Sequence, residues 1–226
     1  MAIKWLVASL STLCLFVLIC CLSIQIPTFN LDFYKKEYVK LNTAENMKMD
    51  EGGLLQVTNE LLSYMKGTRK DLIVQATVAG QGREFFNQRE VSHMADVKNL
   101  FAYGFLVRNL SAIIFVLTVA FFGLRAEGNL TIFARAYILG FLGAIACLLI
   151  LGFIISTDFN KYFTIFHEIF FTNELWVLDP NVDLLINLVP LQFFMDIAKY
   201  IAVTFAQLTA GVLFLSYIYL KFFRAG

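Results

Sequence analysis

Four long apolar stretches constrain this chain more than any other feature of its sequence. They run through residues 3–24, 105–124, 134–156 and 200–222. A helix needs about 20 mainly apolar residues to cross the hydrocarbon core of a bilayer, and each stretch meets that requirement. The composition agrees, because 59% of the residues are hydrophobic and 15% are charged, whereas soluble domains are about 45–50% apolar. The sequence therefore predicts an all-α integral membrane protein with four transmembrane helices.

The first stretch has the position of a secretory signal peptide but not its form. Its apolar run is longer than that of such peptides, and it lacks a convincing small-residue cleavage site. We therefore expect a retained first transmembrane helix.

Basic residues near the ends of the four stretches indicate their orientation. Lys4 precedes the first stretch, Arg125 and Arg135 flank the short connection between the second and third, and Lys221 and Arg224 end the chain. Lysine and arginine accumulate on the cytoplasmic side of membrane proteins. Both termini and the connection are therefore predicted to be cytoplasmic.

This orientation places two long segments outside the cytoplasm, residues 25–104 and 157–199, and leaves residues 125–133 as a cytoplasmic loop. The four cysteines all lie within the predicted spans, at positions 14, 20, 21 and 147. Neither outer segment can therefore form a disulfide, and no C-x-x-C motif supports thiol exchange. The net charge is +1, and no basic patch suits nucleic acid.

The first outer segment is predicted to be mainly helical. Leucine, valine and methionine side chains recur at helical spacing in GLLQVTNELLSYMKG. Asp71–Val78 is apolar and β-branched, which favours a short extended piece, and the glycines of the following GQG indicate a turn. The run NQREVSHMADVKNLF has an apolar stripe and is predicted to continue as a helix into the second span.

The second outer segment begins with an aromatic run, TDFNKYFTIFHEIFF, whose apolar side chains share one helical face. A short aromatic helix of this kind lies in the plane of the membrane interface, and Trp176 suits an aromatic belt. Asp179-Pro180 predicts the start of another helix, and Pro190 predicts its end or a bend. Both outer segments are therefore expected to form a helical extracellular cap on the outer membrane interface.

The chain has only two histidines, and both fall in these outer helices. Their acidic or amide neighbours along the sequence are Glu90 and Asp96 for His93, and Glu168 and Asn173 for His167. Imidazole titrates near neutral pH, so the pair suits proton transfer at a lipid ester or amine. Simple packing at the interface is the alternative, and two histidines without tight ligand spacing do not specify a metal site.

Two pieces of the sequence carry the most specific pattern: H-M-x-D-V-K, which begins at His93, and F-H-x-x-F-F-x-N-x-x-W followed by L-D-P, which contains His167. With the four spans and the long first outer segment, they resemble the bacterial membrane family of lipoprotein intramolecular transacylases over essentially the whole chain.

The resemblance implies an acyltransferase of the bacterial cytoplasmic membrane, of the Gram-positive type, with its site at the outer leaflet. The implied substrate is a lipoprotein that bears a diacylglyceryl cysteine with a free α-amine. The sn-2 acyl chain moves onto that amine and leaves a lyso-form lipoprotein. His93 and His167 match the two motif histidines and are the implied catalytic pair. The other motif residues, as substrate-binding candidates, are Glu90, Asp96, Asn173 and Trp176.

The implied chemistry suits these residues. One imidazole of the pair can take the proton of the amine and return it to the departing glyceryl oxygen. The other imidazole can orient the first or stabilise the oxyanion. No ATP, metal or acyl-CoA is required, because an ester supplies the acyl group. The choice of base, and an acyl-histidine intermediate, stay open.

A diacylglyceryl substrate must reach the site from the membrane, since each exposed CH₂ group costs about 0.8 kcal/mol. We expect an apolar groove that opens sideways to lipid, lined by Phe163, Phe166, Phe170 and residues of the second and fourth spans. Arg108 is expected at its mouth, where it would hold a lipid carbonyl or phosphate, or simply reach the headgroups.

Two other functions fit the same features. A non-catalytic subunit that binds lipid or lipoprotein would use the amphipathic outer helices with the histidines merely packed. A phospholipase-type membrane hydrolase would use the same pair of histidines.

Overall fold

The computed structural model of the protein describes residues 1–123 and 129–222, and within them the chain is mostly helical. The elements in chain order are α1 (Ala2–Thr28), α2 (Leu31–Lys40), α3 (Thr43–Met47), α4 (Glu51–Met65), β1 (Gln75–Val78), β2 (Gln81–Glu84), α5 (Gln88–Thr118, continued by a π-helical turn Val119–Gly123), α6 (Asn129–Thr157), α7 (Phe159–Phe170), α8 (Leu185–Leu188) and α9 (Leu191–Phe222). Helices α1, α5, α6 and α9 are long and apolar enough to cross a membrane. The predicted all-α membrane protein with four spanning helices is confirmed.

Each of these four helices is longer than the apolar stretch that predicted it. Helix α5 with its π-helical turn has 36 residues, which is about 54 Å at 1.5 Å per residue, whereas the hydrocarbon core is about 30 Å thick. Its polar beginning, which carries His93, therefore extends beyond the membrane-crossing part. Leu124, Arg125 and Arg224, which entered the span and orientation predictions, lie outside the described residues.

The chain divides into two compact units. The first, here the span unit, comprises Met1–Ile26, Gly104–Asp158 and Tyr200–Gly226. In it, Leu15 and Ile19 of α1 pack on Phe141 of α6. A Cβ added at Gly140 would stand 2.5 Å from the side chain of Thr12, so glycine allows α1 and α6 to approach closely.

The second, here the site unit, comprises Pro27–Tyr103 and Phe159–Lys199. The Oδ1 atom of Asp50 caps α4 by accepting a hydrogen bond from the Gly53 N–H at 2.8 Å. The side chains predicted to form the apolar stripe of α4 are all buried: Leu54, Val57, Leu61, Leu62 and Met65. The predicted helix is therefore confirmed, and its buried face is part of the core of this unit.

The extended piece before α5 is half of a β-hairpin. Strands β1 and β2 pair antiparallel, with Gln75 opposite Glu84 and Val78 opposite Gln81. The two turn residues, Ala79 and Gly80, both have positive φ angles, as a two-residue hairpin turn of the right twist requires. The strand covers only the second half of the predicted extended segment 71–78, and of the two glycines predicted to form the turn, Gly80 lies in it whereas Gly82 belongs to β2.

The prediction of a helix that starts at Asp179-Pro180 is wrong. Those residues begin a turn, in which the Oδ1 atom of Asp179 accepts from the Asn181 N–H and the Asp183 carboxylate accepts from the Asp179 N–H. Local side-chain bonds of this kind compete with a helix. Only the four residues of α8 become helical, and Pro190 separates them from α9, as predicted for that proline.

Candidate active site

The first turn of α5 is held by a reciprocal pair of hydrogen bonds between Asn87 and Glu90. The Oδ1 atom of Asn87 accepts from the Glu90 N–H at 3.1 Å, and the Oε2 atom of Glu90 accepts from the Asn87 N–H at 2.7 Å. This is a capping box, with a side-chain acceptor at the N-cap and a glutamate three residues later. It fixes the start of the helix that presents His93.

Glu90 also joins α5 to the segment before α9. Its Oε1 atom accepts a hydrogen bond from the Leu185 N–H, and the Nδ2 group of Asn87 donates to Asp183 at 2.6 Å. Burial raises the pKa of the Glu90 carboxyl, while the backbone N–H groups oppose that shift. Backbone donors occupy both oxygens, so the Glu90 carboxylate has a structural role here. Its sequence spacing had suggested instead that it would be a neighbour of His93.

The two histidine rings lie side by side in the site unit. Their centroids are 6.1 Å apart and the ring planes differ by 35°. His93 is 7% exposed and His167 9% exposed. Both rings contact Phe171, with centroid distances of 5.3 Å from His93 and 5.6 Å from His167. A reacting atom within about 2.6–3.2 Å of a nitrogen on each ring is compatible with this spacing.

The tautomer of His167 follows from its backbone partner. Its Nδ1 atom lies 2.7 Å from the carbonyl oxygen of Phe163. A carbonyl only accepts hydrogen bonds, so Nδ1 carries the hydrogen and donates it. In the neutral ring the lone pair is therefore on Nε2. Burial lowers the pKa of His167, which keeps the ring neutral at physiological pH.

His93 is the more strongly perturbed of the two. Burial, reinforced by the neighbouring His167, lowers the pKa of His93 to about 4, although Asp96 opposes the shift. Its Nδ1 atom is buried and has no hydrogen-bond partner among residues 1–123 and 129–222. An orphaned buried donor would be costly, which favours the tautomer with the hydrogen on Nε2. His93 is thus a neutral ring with an Nε2–H group to donate.

Aromatic side chains surround His167. Trp176 stacks on it, with centroids 4.9 Å apart and planes at 30°, and Phe163 meets it edge-on at 4.4 Å. Phe166 is also edge-on, at 5.5 Å, and Phe170 lies 4.7 Å from Phe166. The site is therefore an apolar box with the polar ring atoms of the histidines inside.

The polar motif residues lie beside this box in a different pairing from the one that the sequence spacing suggested. The Nδ2 group of Asn173 donates to the Oδ2 atom of Asp96 at 2.9 Å. Glu168, expected beside His167, is exposed on α7. The structure therefore brings Asp96 and Asn173 together near the histidines.

Arg108 belongs to the span unit. Its Nη1 group donates to the Oε1 atom of Gln25 at 2.6 Å, and its Nε and Nη2 groups donate to the Oδ1 atom of Asn109. Three of the five guanidinium N–H groups thus have partners within the protein.

Two residues that contact the site were not among the sequence-predicted candidates, although Phe171 belongs to the quoted motif around His167. Phe171 contacts both histidine rings, and Arg89 donates from Nη2 to the Glu174 carbonyl oxygen at 2.7 Å. Arg89 stands four residues before His93, the spacing of neighbours on one helix face, and that spacing was the available signal. Within the described ranges, no group of three or more His, Cys, Asp or Glu side chains could hold a metal ion.

Comparison with known proteins identifies the family of this fold and site. A model of the family described as lipoprotein intramolecular transacylase Lit matches residues 9–194, which is most of the chain. The chain belongs to the lipoprotein intramolecular transacylase family. It is therefore an acyltransferase that acts on lipoproteins, as the sequence motifs implied.

Solved structures agree with this fold. The chain resembles the in meso structure of the membrane-integral lipoprotein intramolecular transacylase Lit from Bacillus cereus, with a TM-score of 0.78 and 22% identity over 97% of this chain and 96% of that chain. A variant of the same protein with one histidine replaced by alanine gives a TM-score of 0.77 and 21% identity, over 97% and 94% of the two chains. A search of the curated proteins finds no significant match.

Proposed function

We propose that this protein moves the sn-2 acyl chain of a diacylglyceryl-cysteine lipoprotein onto the α-amine of the same cysteine. The observation that carries the proposal is the pair of buried rings 6.1 Å apart, one with a free Nε2 lone pair and the other with an N–H group to donate. Acyl transfer from an ester to an amine needs one group of each kind, a base and an oxyanion donor.

His167 is the general base in this proposal. The Phe163 carbonyl holds the hydrogen on Nδ1, so Nε2 is the atom that accepts a proton. The amine nitrogen forms a bond to the acyl carbon and passes its proton to Nε2. The bond between the acyl carbon and the glyceryl sn-2 oxygen then breaks, and Nε2 returns the proton to that oxygen. One amide and one hydroxyl form for each ester and amine consumed.

His93 is the oxyanion donor. Because its pKa lies near 4, the ring stays neutral and donates from Nε2 to the carbonyl oxygen as negative charge develops there. Donors of this kind, positioned before the reaction in a dry site, contribute about 10²–10³-fold to acyl transfer. Donor and acceptor groups belong to one substrate molecule, which supplies the proximity advantage in advance.

The aromatic face of α7 is the proposed route to lipid. Phe166 is 41% exposed and Phe170 is 51% exposed, and apolar rings of this size are stable in the membrane interface. Acyl chains would reach the histidines along Phe163, Phe166 and Phe170 without leaving the apolar phase. The other two guanidinium N–H groups of Arg108, which have no hydrogen-bond acceptor among residues 1–123 and 129–222, are proposed to hold a lipid carbonyl or phosphate.

The proposed topology has both termini in the cytoplasm and the histidines at the outer leaflet. Its support is the placement of lysine and arginine beside the four spans. A lipoprotein anchored in the outer face of the bacterial cytoplasmic membrane would then present its modified cysteine on the same side of the membrane as the histidines.

Mass spectrometry of cellular lipoproteins tests the proposal. Cells with and without this protein are compared through the N-terminal tryptic lipopeptide of an abundant lipoprotein. We expect a lipopeptide with an N-acyl and an S-monoacylglyceryl group only where the protein is present. Loss of one acyl chain without N-acylation would indicate a hydrolase, and an unchanged lipopeptide would indicate a binding subunit.

A further inference from the structure

Trp176 stands against the ring of His167 without belonging to any helix. It lies in the irregular segment between α7 and α8, yet its indole is stacked on the imidazole at 4.9 Å. A side chain on an irregular segment keeps one position only if other contacts hold that segment. The structure supplies two such contacts just before the tryptophan.

Both contacts come from the helix face that carries His93. The guanidinium of Arg89 donates to the carbonyl oxygen of Glu174 at 2.7 Å, and Asp96 accepts from the Nδ2 group of Asn173 at 2.9 Å. Arg89, His93 and Asp96 stand at positions i, i+4 and i+7, and therefore share one side of α5. These two hydrogen bonds hold the irregular segment against that side of α5, and Trp176 follows Glu174 by two residues.

The stacking matters when the imidazole becomes charged. An indole presents a negative π face, and a cation over that face is stabilised by about 0.5–1 kcal/mol at exposed sites and about 2 kcal/mol or more where water is excluded. His167 is buried among aromatic rings that otherwise disfavour its charged form. The indole is thus the neighbour best placed to offset the cost of an imidazolium.

We propose that Trp176 is a positioning residue for His167, holding its ring plane and stabilising the imidazolium that forms when Nε2 takes the proton of the substrate amine. The inference rests on the proposed function. The charged or titratable side chains closest in sequence to the contacts around this ring are Arg89, His93 and Asp96 of α5, Glu168 of α7 and Glu174 of the connecting segment. Among these, His93 has a ring contact with His167.

A fluorescence titration tests the stacking without relying on catalysis. The sequence has two tryptophans, so the Trp5→Phe variant leaves Trp176 as the only indole fluorophore. A protonated imidazole quenches a stacked indole. We expect the emission to fall on acidification, with a midpoint below about 6.5, and to become independent of pH when His167→Asn is added. A flat titration in the Trp5→Phe protein, or quenching that survives His167→Asn, overturns the proposal.

Kinetics with a diacylglyceryl lipopeptide separates this role from simple packing. Trp176→Leu keeps apolar cover but removes the π face, so kcat should fall about 2- to 30-fold and the rising limb of the pH profile should move to lower pH. Trp176→Phe should recover part of both effects, and Trp5→Leu should match the wild type. A limb that stays in place, or moves to higher pH as it would if water entered, contradicts the proposal. A wild-type protein without transacylation refutes the proposed function instead.

Discussion

Replacing Glu90 by alanine should destabilise the protein without a specific effect on substrate binding. The carboxylate is fully buried and accepts hydrogen bonds from the backbone N–H groups of Asn87 and Leu185. The substitution removes the side-chain acceptor of the capping box and the hydrogen bond that connects α5 to α8. It also leaves both N–H groups without an acceptor.

The size of the effect follows from those two donors. Each buried donor left without a partner costs about 1–3 kcal/mol. Relief of the buried carboxylate, whose pKa is raised by burial, offsets part of this loss, so we expect a net loss of about 2–4 kcal/mol. In a chain of this size each kcal/mol lowers Tm by about 2–4 °C, which gives about 4–16 °C.

The assay is thermal unfolding of the purified protein in detergent, followed by far-UV circular dichroism. Glu84→Ala, at an exposed position of β2, is the matched control and should leave Tm nearly unchanged. Glu90→Gln keeps one acceptor oxygen and should lose about half as much as the alanine variant. A Glu90→Ala protein as stable as the wild type, but with a raised KM for lipopeptide, would refute the structural role and favour substrate binding.

Two further predictions concern pH and topology. The pKa of His93 is about 4 in the folded protein and about 6.5 in the unfolded protein. Below pH 6.5 the unfolded state therefore binds the extra proton, and the free energy of unfolding falls by up to about 3 kcal/mol as the pH drops towards 4. The His93→Phe variant should lack this part of the fall in Tm, and a pH dependence identical to that of the wild type would contradict the prediction. Single cysteines at Glu45 and Glu174, in a chain whose four native cysteines are replaced, should react with an impermeant thiol reagent from outside intact cells. Reaction only after permeabilisation would reverse the proposed orientation.

The spans and most helices could be predicted from the sequence, because their signals are local. Twenty apolar residues in a row specify a crossing helix, and the stripe of α4 repeats at the helical period. The prediction that a helix starts at Asp179 was wrong, and the reason is equally physical. Its N–H group bonds to Asp183, and sequence alone does not reveal whether such a residue caps a helix or closes a turn.

The two histidines of the candidate site could be singled out from the sequence, but the hydrogen-bond partners of the neighbouring residues could not be predicted. His93 and His167 stand out because the chain has no other histidine. Spacing along α5 placed Glu90 beside His93, yet its oxygens bond to Asn87 and to Leu185, which is distant in sequence. Asn173, expected beside His167, lies in the irregular segment after α7 and donates a hydrogen bond to Asp96 of α5. Which side chains meet across two segments depends on tertiary packing, and no periodicity encodes it.

The most direct test of the two-histidine mechanism is transacylation by purified variants of a synthetic diacylglyceryl lipopeptide with an isotope label in the sn-2 chain. Transfer within one molecule leaves the intact mass unchanged, so tandem mass spectrometry must locate the label. The wild type should yield labelled N-acyl fragments and an S-monoacylglyceryl group.

His167→Asn keeps a donor for the Phe163 carbonyl but removes Nε2, so its rate should fall about 10²–10⁴-fold. His93→Gln retains an N–H donor and should be faster than His93→Phe, which should lose about 10²–10³-fold. A His167→Asn protein within tenfold of the wild type, or a fully active His93→Phe protein, would contradict the mechanism.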